Sequence, residues 1–295
     1  MEFSRATFLA TLGGMKALFL VGWGLGLAIS AVAAEGLKQS LLLHASFDKG
    51  LDADFAKGDS KLYHSPSGSR SRATAGLPDE NLVLHTKDAG RFGQGLRFTK
   101  KMKPVVFFQG DKNLGYNTNS WSASCSFWLR LDPDKDLEPG YCDPLQFVAQ
   151  AWGEGNMFVE FSKDHTPRHF RYAILSVTKH WNPNNRGWEE IPEAERPMVA
   201  VHKAPFNREE WTHVVFTFSN INSGKKNSVG KLYLNGKSQG SFEREHVFNW
   251  DVSKSALTIG LNYVGDFDDL AVFSAVLSDD QVMSVYRSDK PIASF

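Results

Sequence analysis

From residue 41 to residue 274 the chain is a succession of short extended runs broken by turn-forming residues, with no helical pattern between them. The runs are 41–47, 81–85, 95–99, 104–109, 125–131, 145–151, 156–162, 170–177, 212–219, 230–236, 256–261 and 267–274. Several alternate with period two. Cys125, Phe127, Leu129 and Leu131 share one face of their run, as do Met157, Val159 and Phe161, the pattern of a strand with one face buried. Short strands at close spacing without crossover helices exclude parallel βαβ units. They predict an all-β protein of two antiparallel sheets packed face to face.

Two local signals sharpen that reading. Asn235-Gly236 lies between two extended runs, and this dipeptide supplies the positive φ angles of a type I′ hairpin turn. Upstream, Trp211 opens a run in which Val214, Phe216 and Phe218 alternate with Val215 and Thr217, so one face carries bulk that belongs in a core. The single convincing helix comes near the C-terminus. Ser278 can cap it, Gln281 can complete a capping box, and Val282, Val285 and Tyr286 stand at apolar spacing. The stretch 65–76 and the long segment 178–208 read as loops.

With 295 residues one large sandwich domain is expected. Its 33 basic residues balance 33 acidic ones, which disfavours nucleic acid and anionic membranes as partners. The basic clusters 70–72 and 100–103 read as solvated surface. Met15 to Gly36 has the layout of an export signal: Lys16 after Met15, an apolar run from Ala17 to Ile29, and the small residues Ala31, Val32, Ala33 and Ala34 before a cleavage point. The expected division is a signal at 1–34, with translation starting at Met1 or Met15, and one domain at 35–295. The competing reading is an uncleaved anchor, the only way this chain would meet a membrane. Export predicts a secreted or periplasmic protein and permits disulfides. Cys125 and Cys142 are the only pair available, and bridging them needs the segment 132–144 to fold back along the strand. A small buried apolar thiol at Cys125 is the alternative.

The ordered fragments "FD" (47–48), "FWLRL" (127–131), "WTHVVFTF" (211–218), "KLYLNGK" (231–237), "TIG" (258–260) and "FDDLAVFSAVLSDDQV" (267–282) resemble the laminin-G-like jelly rolls of the concanavalin A-like lectin/glucanase superfamily. The resemblance covers about residues 41–287. It implies two antiparallel sheets, one of them curved, with the first and last strands adjacent. It does not fix a function, because lectins, glycan-cleaving enzymes, protein-binding modules and spacers share this scaffold. Relatives often hold a structural Ca²⁺ where the terminal strands meet, and Asp48 and Asp268 match those positions; no other cofactor is expected.

Glycosidases need two carboxyl groups with separated pKa values across a cleft. The alternating Glu-x-Asp-x-Glu arrangement of the superfamily's glucanases is absent: Asp266 alternates with Asp268, Glu160 stands alone, and Glu189 and Glu190 are adjacent in a loop. Catalysis is therefore not expected. His165 and His169 have the i, i+4 spacing of a zinc pair, but Pro167 between them argues against a helix presenting both rings on one face. The segment 179–197 is the least scaffold-like feature, placing Trp181 and Trp188 among Asn184, Asn185 and Arg186. An indole buries on the order of 200 Å², so leaving one in water forgoes roughly 5 kcal/mol at about 25 cal/mol per Å². Either both rings plug the rim of the sandwich, or a face is left for a sugar ring or peptide, with Trp152 on the same rim. The expected function is an exported, non-catalytic binding module for a polysaccharide or an extracellular protein partner. A structural module of a surface assembly is the alternative.

Overall fold

The computed structural model describes residues 35–79 and 81–292. The expected export signal at 1–34 lies outside the described residues. Among the described residues, seventeen strands, numbered in chain order, form two antiparallel sheets. The first sheet contains β1 (Leu41–Ala45), β2 (Phe55–Ala56), β5 (Val83–Thr86), β6 (Gly95–Phe98), β8 (Trp121–Arg130), β13 (Thr212–Ile221), β14 (Ser228–Leu234), β15 (Lys237–Arg244) and β17 (Gly265–Phe273). The second contains β3 (Leu62–Ser65), β4 (Thr74–Ala75), β7 (Val105–Gln109), β9 (Cys142–Val148), β10 (Asn156–Phe161), β11 (Phe170–Leu175), β12 (Met198–Val201) and β16 (Ala256–Leu261).

The main path of the first sheet is β15-β14-β13-β8-β17-β1-β2, with β6 joining β17 and β5 joining β6. The first strand thus lies beside the last, Ala45 opposite Leu270 and Leu41 opposite Phe273. The second sheet runs β12-β11-β10-β9-β16-β7-β3-β4. Alternation decides what faces inward. Ala123, Cys125, Phe127 and Leu129 of β8 and Val214, Phe216 and Phe218 of β13 meet Met157, Val159 and Phe161 of β10 and Phe170, Tyr172 and Ile174 of β11 in one core. Each large apolar side chain buried there stabilises the fold by roughly 1.5–3 kcal/mol. At one end Trp121 is fully buried, donates its indole N–H to Leu114 O at 2.9 Å, and sits among Tyr116, Phe218, Phe248 and Trp250.

The outward face of the first sheet is covered by the helix Asp279–Arg287. Val282 and Val285 pack on Val215, Tyr233, Ala271 and Phe273. Its N-terminus is the expected capping box: Ser278 accepts from the Gln281 N–H, and the Gln281 side chain accepts from the Ser278 N–H at 2.9 Å. The Asn235-Gly236 turn joins β14 to β15 with φ angles of 50° and 75°. Asn235 Oδ1 also accepts from His213 N–H at 2.9 Å, tying the turn to the start of β13. Among the described residues, no helix is long and apolar enough to cross a membrane.

Two expectations are corrected. Cys125 and Cys142 are free, buried thiols. Cys125 lies in β8 of the first sheet and Cys142 in β9 of the second, so the chain between them crosses to the opposite layer instead of folding back, and sheet faces stand about 10 Å apart. The segment 178–208 is not only loop, because it contains β12 and short helical turns at Thr178–Trp181, Trp188–Glu190 and Glu193–Glu195.

Candidate functional site

The outward face of the second sheet carries the residues that alternate with its core set. Phe158 and Glu160 of β10 face outward beside Ala173 and Arg171 of β11, their cross-strand partners. Phe158, Ala173, Leu175 and Met198 form a small apolar floor, against which Trp181 and Trp188 pack. The two indoles meet edge to face at 5.9 Å and 67°, a favoured aromatic geometry. Trp152 stacks on Phe158 at 5.7 Å and 28°, yet is 55% exposed. Between the three indoles lies a pocket of about 420 Å³, lined also by Tyr141, Asp143, Glu160, Asn182, Asn185 and Arg186.

Hydrogen bonds hold the walls. Asn182 Nδ2 donates to Arg186 O at 2.8 Å and its Oδ1 accepts from Arg186 N–H at 3.0 Å, closing a turn in which Asn185 takes φ 48°. Arg186 pairs with Glu195 at 3.0 Å. Arg196 donates to Ile191 O at 2.9 Å and places its guanidinium 4.8 Å from the Trp188 ring centroid, a cation–π contact that fixes that indole. On the opposite wall Asn156 Nδ2 donates to Trp152 O at 3.0 Å, anchoring the Trp152–Glu154 turn to β10.

The polar side of the pocket is a buried charge cluster. Arg171 Nη2 lies 2.6 Å from Glu160 Oε1 with both side chains almost fully buried. Burial pushes the Glu160 carboxyl up to about 7 although Arg171 opposes it. Burial, then the charge of Glu160, raises Asp143 well above the usual carboxylate range. Gln146 donates to Asp143 Oδ2, while the buried Asp143 Oδ1 has no hydrogen-bond partner. At the edge Tyr141 donates to Glu189 at 2.7 Å, and this bond is the main cause holding the Glu189 carboxyl below its ordinary value. The site therefore offers aromatic platforms beside the buried Arg171–Glu160 pair and a set of polar side chains, with the Asp143 Oδ1 acceptor unsatisfied.

The structure brings Trp152, Trp181, Trp188, Asn185 and Arg186 to one pocket. Sequence reasoning missed Tyr141, Asp143 and Asn182 and took Glu160 as isolated. The register of β9 shifts against β10 between Val159 and Phe161; simple alternation from Leu145 would have turned Asp143 into the core, and the shift brings it to the Glu160 face instead.

Asp48 and Asp268 lie elsewhere. Asp48 Oδ1 accepts from Gln94 N–H at 2.9 Å. Asp268 Oδ2 accepts from the N–H groups of Arg91 and Phe92 at 2.6 and 3.1 Å. Both carboxyl groups thus brace the same turn. Burial, reinforced by the neighbouring Asp269, pushes Asp268 up to about 8. A Ca²⁺ ion takes six to eight oxygen ligands, and here amide donors occupy one oxygen of each side chain. Asp268 Oδ1, buried and without a partner, is an atom a cation would satisfy, but it is not a cage.

The chain matches a known family model, concanavalin A-like lectin/glucanases, over residues 110–283, more than half of its length. The chain belongs to the concanavalin A-like lectin/glucanase superfamily. No curated protein matches it significantly in sequence. Among solved structures, this superfamily member is similar to domain 4 of AbnA, a GH43 extracellular arabinanase from Geobacillus stearothermophilus, in complex with arabinotriose. The identity is 15%, the match covers 84% of this chain and 100% of that one, and the TM-score is 0.51. It is similar also to the botulinum neurotoxin serotype D binding domain, at 14% identity over 86% of this chain and 52% of that one, with a TM-score of 0.54. The ligand binding domain of the same serotype in complex with N-acetylneuraminic acid matches at 14% identity, 86% and 52% coverage and a TM-score of 0.52. The chain spans the whole of the arabinanase domain and about half the length of the toxin domains. At these identities the likeness establishes the fold. The two toxin structures are binding domains, and the arabinanase domain and one toxin domain were solved in complex with a sugar.

Proposed function

We propose that this protein is a non-catalytic carbohydrate-binding module that seats a saccharide in the Trp152–Trp181–Trp188 pocket. The carrying observation is the convergence of three indoles on one pocket with polar groups between them, one of which, Asp143 Oδ1, lacks a partner. An apolar ring face on an indole with a few fixed donors and acceptors beside it is the composition that orients a small polar ligand. That sandwiches of the same fold have been solved with arabinotriose and with N-acetylneuraminic acid supports the reading. A glycan array probed with wild-type protein and with Trp152→Ala tests it. We expect retention of at least one glycan class by the wild type and loss of about tenfold or more in affinity in the variant. No retained glycan, or full binding by Trp152→Ala, would refute the pocket as the binding site, and specific capture of a protein in its place would favour a surface-assembly module.

A second reading rests on Asp143 and Glu160, two carboxyl groups with raised pKa values in one pocket, the raw material of glycoside hydrolysis. Against it, Glu160 is committed to Arg171 and Asp143 to Gln146. Release of reducing sugar from a retained glycan, abolished in Glu160→Gln, would establish that reading over the first. We propose further that residues 1–34 direct export to the periplasm or the exterior. Mass spectrometry of the exported product is expected to place its N-terminus at Glu35; a product retaining the apolar run and fractionating with membranes would show an anchor.

A further inference from the structure

Outside the pocket, one set of side chains has the makings of a second site. The register of β11 and β12 places Phe170 opposite Val201, so His169, one residue before β11, stands opposite His202, one residue after β12. Their rings stack at 4.2 Å and 23°. Glu193, at the start of the turn Glu193–Glu195, accepts from or abuts His202, with Nε2 and Oε1 2.9 Å apart. One ligand atom from each of His169, Glu193 and His202 lies within 4.8 Å of the others. His165, in the connection between β10 and β11, stacks on the other side of His169 at 3.8 Å and 26°. The i, i+4 pair that Pro167 argued against in a helix is thus assembled by a strand connection, and its third and fourth partners come from more than twenty residues downstream.

This arrangement is not explained by the hydrogen bonds around it. The Nδ1 atoms of His165 and His169 are buried without partners. Two imidazoles and a carboxylate are borderline donors. They suit Zn²⁺ and its transition-metal neighbours and do not suit Ca²⁺ or Mg²⁺, which take oxygen ligands.

We propose that His169, Glu193 and His202 form a binding site for a divalent transition-metal ion of the Zn²⁺ type, with the fourth position open to water. A metal held there would tie the turn carrying Glu193 to the ends of β11 and β12, a short distance along the chain from Trp188. The site stands on its own geometry and does not depend on the saccharide reading.

The test uses tag-free protein freed of metal with a chelator and titrated with ZnCl₂ by calorimetry, with native mass spectrometry for stoichiometry. One Zn²⁺ per chain is expected, with a rise in melting temperature on saturation. His169→Ala and His202→Ala are each expected to weaken binding by about tenfold or more, and Glu193→Gln to weaken it measurably. His169 is partly buried and His202 and Glu193 are exposed, so the variants are expected to keep the wild-type circular dichroism spectrum, and the His202→Ala result stands alone should His169→Ala misfold. Absence of a bound Zn²⁺ at millimolar metal, or binding unchanged in both histidine variants, would overturn the proposal.

Discussion

Individual side chains in the pocket separate binding from support. Trp152 is more than half exposed and rests on Phe158 by one face, so Trp152→Ala is expected to leave the melting temperature within about 2 °C of wild type while removing the saccharide platform. Trp188 is wedged between Trp181 and Arg196. Its truncation is expected to cost about 2 kcal/mol or more as well as binding, because it opens a void under the segment 178–197. Differential scanning fluorimetry on both variants checks the contrast. Asp268 makes a different prediction. With its carboxyl pushed up to about 8 by burial, it is neutral at pH 7, and Asp268→Asn keeps both shape and neutrality. In chelator this variant is expected to match the wild-type melting temperature within a few degrees, whereas Asp268→Ala, which strands the N–H groups of Arg91 and Phe92, is expected to lose about 2–3 kcal/mol. A Ca²⁺-dependent rise in melting temperature seen in the wild type and lost in Asp268→Asn would instead show a cation on Oδ1.

At the level of elements, turn chemistry and alternation did most of the specifying. Gly236 takes φ 75°, and Gly236→Val is expected to cost about 1–2 kcal/mol for forcing a β-branched residue into the left-handed region, read as a lower urea midpoint with unchanged slope. Strands with a clean apolar period, such as β8, β10 and β13, were legible from sequence, as were the Asn-Gly turn and the capped helix. The extent of β15 was not, although the turn implied a strand after it: Lys237–Arg244 buries none of its side chains fully, so an edge strand of polar residues carries no period to detect. β12 was hidden for a related reason, being a run of four residues inside a segment rich in Pro, Asn and Glu. The pocket was half legible. Its tryptophans stood out because bulky rings in a polar loop demand cover, while Asp143 did not, since a register shift turned it outward. The His169–His202 pair was invisible, because only strand pairing brings those positions together.

For the molecule as a whole, buried ionisable groups set opposing pH slopes. Burial depresses His213 and His246 from 6.5 to about 3. Stability from keeping them neutral is complete above about pH 6.5 and is lost as pH falls toward 3. Burial raises Glu160 from 4.5 to about 7 and Asp268 from 3.8 to about 8. Their contribution is complete below about pH 4 and is lost as pH rises through 7 and 8. The two slopes offset each other between about pH 4 and 6.5, so the melting temperature is expected to be highest in that interval and to decline through pH 8, with Asp268→Asn reducing the decline. A melting temperature at pH 8.5 equal to that at pH 5.5 would contradict this. The position of β17, flanked by β8 on one side and by β1 and β6 on the other, bears on assembly. It is the last strand in sequence among the described residues, yet it fills a slot in the interior of its sheet. Until residue 273 has left the ribosome, β8 has only β13 and β1 only the two-residue β2 to pair with, and the edge that each should offer to β17 stays open to the wrong neighbours. A nascent chain stopped at residue 264 should therefore stay protease-sensitive and prone to clump, and closure of the sandwich should wait for β17 in one late step.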